Sequence, residues 1–146
     1  MRRWRRLGVD RMLVDAHRRG TVLAGLSAGA VCWFRFGHSD SMSFYHPERW
    51  DYIRVRCLGL IPGTCCPHYD GEHRDASFRS MIGRTGGVGI ALDDGCALEV
   101  VDGAYRILTS RPEAGAYRVT RHRGRVEQEP IPQRADDAPL ADLFGE

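Results

Sequence analysis

From Thr21 the chain reads Thr-Val-Leu-Ala-Gly-Leu, a short and almost wholly apolar run, and passes at once into Ser27-Ala28-Gly29-Ala30-Val31. A brief apolar stretch bounded by turn formers predicts a strand buried on both faces, the kind that helices cover in a parallel sheet. The small residues after it can open a buried helix that continues through Cys32, Trp33 and Phe34. Strand, sharp turn, helix is a restrictive order, and it points to a layered α/β architecture. The same stretch holds Gly25-Leu26-Ser27-Ala28-Gly29, which fits G-x-S-x-G. A nucleophile on a tight strand-to-helix turn sits in a strained conformation, and flanking glycines remove the side chains that would clash. Its oxygen then projects at the carboxyl end of the strand, with the Ala28 N–H turned toward a developing oxyanion. The plainer alternative is a small-residue turn packed closely under a sheet.

The rest of the chain extends this reading. Val9, Met12, Leu13 and Ala16 form the stripe of an amphipathic helix over 9–19, ended by Gly20. Cys57–Ile61 and Val88–Leu92 read as two more buried strands, the first stopped by Pro62-Gly63 and the second by Asp93-Asp94-Gly95. Between them, 71–82 is predicted helical. Residues 38–56 are polar, aromatic and interrupted by Pro47, so they read as a long irregular excursion. Further on the period changes to that of hairpins, 97–101 with 104–108 across Asp102-Gly103, and 116–120 with 126–129 across Arg123-Gly124. The expectation is a mostly parallel sheet with flanking helices and antiparallel C-terminal hairpins. One domain is expected over 1–129, with a loosely attached tail rich in Pro, Asp and Ala over 130–146.

Composition narrows the chemistry. The net charge is +2, and the basic residues are scattered apart from 2–6 and 121–125, so no nucleic-acid surface is expected. No segment has the ~18 or more consecutive apolar residues of a membrane span, and no signal peptide follows the basic start, which places the chain in the cytoplasm. All 21 basic residues are arginine. Without lysine, neither a Schiff base nor a phosphate-loop lysine is available. Five cysteines in odd number lack the separated pairs that zinc requires, and adjacent Cys65 and Cys66 cannot easily chelate one ion. No metal and no cofactor are expected.

A serine nucleophile needs a base, and the base needs an orienting acid. Of six histidines, His68 follows a predicted buried strand and Pro67, at the sheet edge where open α/β folds gather their sites. His38, beside Asp40, is its competitor. For the acid, Asp93 and Asp94 stand at the end of the next strand, although Asp-Asp-Gly is also simply a good turn. Asp40 is the second choice. Arg74 could hold a substrate carboxylate, or be an ordinary charge on a helix.

Taken together, Gly25-Leu26-Ser27-Ala28-Gly29-Ala30, Ser39-Asp40-Ser41-Met42, Leu58-Gly59-Leu60-Ile61-Pro62 running to Pro67-His68-Tyr69, and Asp93-Asp94-Gly95 resemble the S51 peptidases. That family includes aspartyl dipeptidase (peptidase E) and cyanophycinase. The resemblance implies a fold like class I glutamine amidotransferases, with Ser27 as nucleophile and His68 as base. The family's third member is a glutamate in a Pro-Glu-Gly turn, and Asp94 stands at its place, one methylene shorter. Asp40 matches a further acidic residue of the family, and Arg74 an arginine soon after its histidine. The resemblance also implies about 80–100 residues upstream of Met1, from roughly 30 per strand-helix unit, including a Gly-rich loop with the second oxyanion donor. Lacking these, the chain is expected to expose a sheet edge or apolar patch beside Ser27 and to form homo-oligomers. The substrate implied is a short peptide. An inactive remnant with an amidotransferase-like fold is the alternative, and an α/β-hydrolase esterase, whose triad runs serine, acid, histidine, a weaker one.

Overall fold

The computed structural model describes residues 1–71, 73–134 and 136–145. Its centre is a six-stranded mixed sheet in the order β2-β1-β3-β4-β7-β8. These strands are β1 (Phe34–Ser39), β2 (Ile53–Arg56), β3 (Ile61–Cys66), β4 (Val88–Leu92), β7 (Ala116–His122) and β8 (Arg125–Pro130). Only β1–β3 and β3–β4 pair in parallel; β2, β7 and β8 add antiparallel ladders at either side. The expected mostly parallel sheet is therefore corrected to a mixed one. A second sheet, in the order β5-β6-β9, is made of β5 (Cys96–Val101), β6 (Ala104–Thr109) and β9 (Ala138–Pro139).

Alternation along the strands builds a core on each face of the large sheet. Cys65 and Ile90 point to one side, where Phe34, Leu92, Tyr105, Ile107, Ile131 and Leu143 complete the packing. Their neighbours Cys66 and Ala91 point to the other, against Phe78, Ile82, Tyr69 and Val119. Adjacent Cys65 and Cys66 thus serve opposite cores, and both are wholly buried free thiols. Helix α4 (Arg74–Thr85) bridges β3 and β4 and buries Arg74, Phe78, Met81 and Ile82, one helical stripe. Both predicted hairpins form. Asp102-Gly103 and Arg123-Gly124 take φ of 49° and 79°, and 48° and 82°, the paired positive values of a two-residue turn whose second position glycine fills without strain.

Four expectations are overturned. Residues 21–26 form no strand, and Val22 and Leu26 are 89% and 84% exposed. A strand buried on both faces needs ladder partners, and the place beside β3 is taken by β1, which β2 pairs on its far side. Phe34, expected in a helix, opens β1, because α3 (Ala28–Val31) ends after one turn. The strand expected over 57–61 lies further on, as β3. Pro62 and Gly63 do not stop it but sit where the β1–β3 register slips between Phe34 and Phe36, the irregular position at which a strand tolerates both. The tail is docked, not loose: β9 pairs with β6, Leu143 is 2% exposed, and its carbonyl accepts from Arg118 Nε at 2.8 Å. It ends in α5 (Leu140–Phe144). The chain begins with α1 (Arg2–Leu7) and α2 (Val9–Arg18), the latter matching the predicted amphipathic helix. The excursion over 38–56 contains a 3-10 turn at Ser41–Phe44 and ends in β2. No described helix is long and apolar enough to cross a membrane.

Candidate active site

Ser27 has φ 54° and ψ −119°, a backbone conformation that a residue with a Cβ rarely adopts and that costs about 1–3 kcal/mol. Contacts around it explain the strain. The turn is closed by Gly29 N–H to Leu26 O (2.8 Å) and by the Ala30 and Val31 N–H groups to Ser27 O (both 3.0 Å). This brings Gly25 so close to Gly29 that a Cβ on Gly25 would lie 2.2 Å from the Gly29 carbonyl oxygen. Glycine at position 25 is therefore a packing requirement here. The Ala28 N–H takes no part in closing the turn, which leaves it at the first turn of α3 beneath Ser27.

His68 and Asp94 come from the carboxyl ends of β3 and β4, which are parallel neighbours. A short hydrogen bond joins His68 Nδ1 to Asp94 Oδ1. A carboxylate only accepts, so the proton of that bond belongs to Nδ1 and the neutral ring keeps its lone pair on Nε2. This is the tautomer a general base requires. The side chains are 32% and 58% exposed, so the pair faces solvent. His68 itself has a φ of 54°, fixed by Gly71 N–H to His68 O at 3.0 Å and Tyr69 N–H to Leu92 O at 3.0 Å. The second bond ties the histidine's loop to the strand that leads to Asp94.

Two residues that sequence reasoning passed over hold the acid's loop. Asp70 Oδ1 accepts the Asp94 N–H at 2.9 Å, and its Oδ2 lies 3.4 Å from an Arg111 nitrogen. Arg111 also donates to the Asp94 carbonyl. Asp70 stands in a Tyr-Asp-Gly run that reads as an ordinary turn, and Arg111 lies more than 40 residues away, so sequence spacing carried no signal of their contact.

The other candidates fall elsewhere. Asp93 turns inward, and its Oδ2 accepts from Gly115 N–H (2.9 Å) and Tyr117 O–H (3.4 Å). His38 is 1% exposed, between Ser77 Oγ at 3.0 Å and Cys66 Sγ at 3.5 Å. Burial, with Arg74 nearby, lowers its pKa to about 4. Asp40 binds Arg74 at 2.9 Å, and Arg74 is itself buried beneath Tyr52. Arg74 therefore spends its charge on Asp40. The hydrogen bonds of the described residues join His68 to Asp94 and Arg74 to Asp40, but none joins Ser27 Oγ to His68. Among those residues no group of three or more His, Cys, Asp and Glu side chains could hold a metal ion.

Residues 1–108 match peptidase family S51, a span holding the elbow, both members of the histidine–aspartate pair and the Asp40–Arg74 pair. The chain belongs to this family. It is also 36% identical over 132 residues to YgaJ, described as an uncharacterized peptidase, of Bacillus subtilis (strain 168). That match covers 88% of this chain and 54% of the relative, so the chain spans about half the relative's length. In this S51 chain the matched region stops inside β6, and the β7–β8 hairpin and the docked tail lie beyond it.

Proposed function

We propose that this S51 chain carries the catalytic group of a serine-type peptidase acting on short peptides, with Ser27 as nucleophile, His68 as base and Asp94 as the residue that orients it. The observation that carries the reading is the strained backbone of Ser27 on the tight turn that opens α3, where its side chain makes no hydrogen bond among the described residues. In the reaction, Ser27 Oγ attacks the scissile carbonyl carbon while its proton passes to His68 Nε2. Negative charge forms on the carbonyl oxygen, toward the Ala28 N–H. The C–N bond then breaks, the amine leaves with the proton from His68, and an ester to Ser27 remains. Water, deprotonated by the same imidazole, releases the acid. Asp94 stabilises the imidazolium formed in each step.

The finer fold assignment, class I glutamine amidotransferase-like, belongs to the same proposal, supported by the family and by the strand-end placement of His68 and Asp94. Five free cysteines, four of them buried, suit a reducing cytoplasm. A second reading, a scaffold without turnover, is favoured by residues 22–26, which pair with no strand and leave Val22 and Leu26 exposed.

Labelling with a peptidyl phosphonate followed by mass spectrometry tests the first reading. The adduct is expected on Ser27, and Ser27→Ala should abolish both the adduct and peptide hydrolysis. Hydrolysis by Ser27→Ala at the wild-type rate, or a label on another residue, would refute it.

A further inference from the structure

Among the clefts outside the constellation just described, one is walled by aromatic rings. It encloses about 310 Å³ and is lined by Trp50, Asp51, Tyr52, His73 and Ser77. One wall is firmly held. Tyr52 stacks on the buried His38 ring, with centroids 4.2 Å apart and planes 20° from parallel, and the Arg74 guanidinium lies 4.8 Å from the Tyr52 ring centre. Trp50 meets Tyr52 edge to face, at 5.0 Å and 76°, so the two rings form a corner. Ser77 is fixed opposite by its 3.0 Å bond to His38.

The charges around this corner are not balanced. Arg74, the nearby cation, is taken up by Asp40. Asp51 enters none of the ion pairs or hydrogen bonds formed among the described residues, and it is exposed. Position adds to composition. Strands β1 and β3 are parallel neighbours, so Asp40, just past β1, and His68, just past β3, emerge at the same end of the sheet. From His68 the chain reaches the cleft within two hydrogen-bonded turns, Gly71 N–H to His68 O (3.0 Å) and Arg74 N–H to Gly71 O (3.2 Å). Tyr52, just before β2, starts from that end too, because Ile53 pairs with Ser39, so the cleft opens on the same sheet edge as the histidine, where open α/β sheets bind ligands.

An aromatic corner with one uncompensated carboxylate suits a flat cation. A guanidinium can stack on the indole face and present paired N–H donors to the carboxylate; an ammonium meets the same charge less well. We propose that Trp50, Tyr52 and Asp51 form a specificity subsite that takes a cationic side chain of the peptide substrate. This rests on the peptidase reading above and names the side chain that the peptidase selects.

The test uses the Ser27→Ala chain, so that bound peptides are not consumed. It is titrated calorimetrically with three blocked tripeptides that differ only in carrying arginine, norleucine or glutamate. The arginine peptide is expected to bind about tenfold more tightly than the norleucine peptide, with glutamate weakest. Asp51→Asn should erase the arginine preference, Asp51→Lys should turn it toward glutamate, and Trp50→Ala should weaken arginine binding. Thermal midpoints of the two Asp51 variants should stay at the parent value, since Asp51 is exposed. Equal binding of the three peptides, or binding of none, overturns the subsite. The two readings separate in the wild-type chain. Arginine-selective binding without hydrolysis or a Ser27 label leaves the subsite and removes the peptidase; hydrolysis with no arginine preference does the reverse.

Discussion

The two glycines of the elbow should respond in opposite ways to the same added methyl group. At Gly25 a Cβ would stand 2.2 Å from the Gly29 oxygen and 2.3 Å from the Gly29 carbonyl carbon, well inside the ~3.5 Å of comfortable contact. Both obstacles are backbone, so no side chain can rotate out of the way and the 25–29 turn must open. At Gly29 a Cβ meets nothing within 4 Å, and the position lies within α3, where alanine is favoured over glycine by up to about 1 kcal/mol. Overpacking a fixed contact costs about 1–3 kcal/mol. Because residues 22–26 are held by no ladder, the turn relaxes outward, which sets the cost for Gly25→Ala near the lower end. That corresponds to a fall in Tm of about 2–4 °C. The relaxation carries Ser27 with it, and a displacement of about 1 Å lowers reactivity about 10²-fold. Thermal unfolding and the rate of phosphonate labelling measure the two effects. Gly29→Ala should keep its labelling rate and its midpoint, or raise the midpoint. If Gly25→Ala labels as fast as wild type, or the two variants behave alike, the backbone contact does not hold the elbow.

Asp94→Asn keeps the size of the side chain but cannot stabilise an imidazolium; kcat/KM should fall about 10²–10⁴-fold with little change in Tm, because Asp94 is exposed. Asp93→Ala should show the converse pattern in denaturant titrations, losing about 1–3 kcal/mol by stranding the Gly115 N–H and Tyr117 O–H. His38 gives a pH dependence. Its folded pKa of about 4 lies below its ordinary value of 6.5, so the unfolded chain takes up this proton first as pH falls. The stability tied to its neutral form is fully present above pH 6.5 and declines toward pH 4, by about 3 kcal/mol. Denaturant midpoints at pH 7 and 4.5 should therefore converge in His38→Gln relative to wild type, and an unchanged difference would contradict the assignment.

Much of the fold was legible wherever a local signal coincided with the contact it predicts. Asp102-Gly103 and Arg123-Gly124 specify their turns by backbone preference alone, and both hairpins formed around them. The helical stripe from Val9 and the apolar run at Val88–Leu92 were equally local. What failed depended on neighbours. The run over 21–26 has the composition of a central strand, but composition does not supply a partner to pair with. Phe34-Arg35-Phe36-Gly37-His38 alternates as a strand should, yet the small residues before it invite a longer helix. Pro62-Gly63 reads as a stop because sequence does not show that one residue of β1, Arg35, faces both of them across an irregular register. In the site, Pro67-His68 and Asp94-Gly95 marked the strand ends where the pair meets. Choosing Asp94 over Asp93 depends on which side chain turns outward, which the alternation of a strand settles only up to its last paired residue.

The His68–Asp94 pair and the proposed nucleophile, Ser27, hang on parts of the chain with different opening free energies. His68 and Asp94 are borne by β3 and β4, laddered on both sides and flanked by fully buried Cys65 and Ile90. Ser27 is borne by a segment whose amides from Val22 to Leu26 donate to no ladder. Amide exchange should report this as near-unprotected hydrogens over 22–26 beside strand hydrogens that exchange only on global unfolding. On the proposed reading, the His68–Asp94 pair is held in place while Ser27 is not. Whatever fastens residues 22–26 raises the fraction of competent molecules, and the apparent rate scales with that fraction while the intrinsic chemistry stays constant.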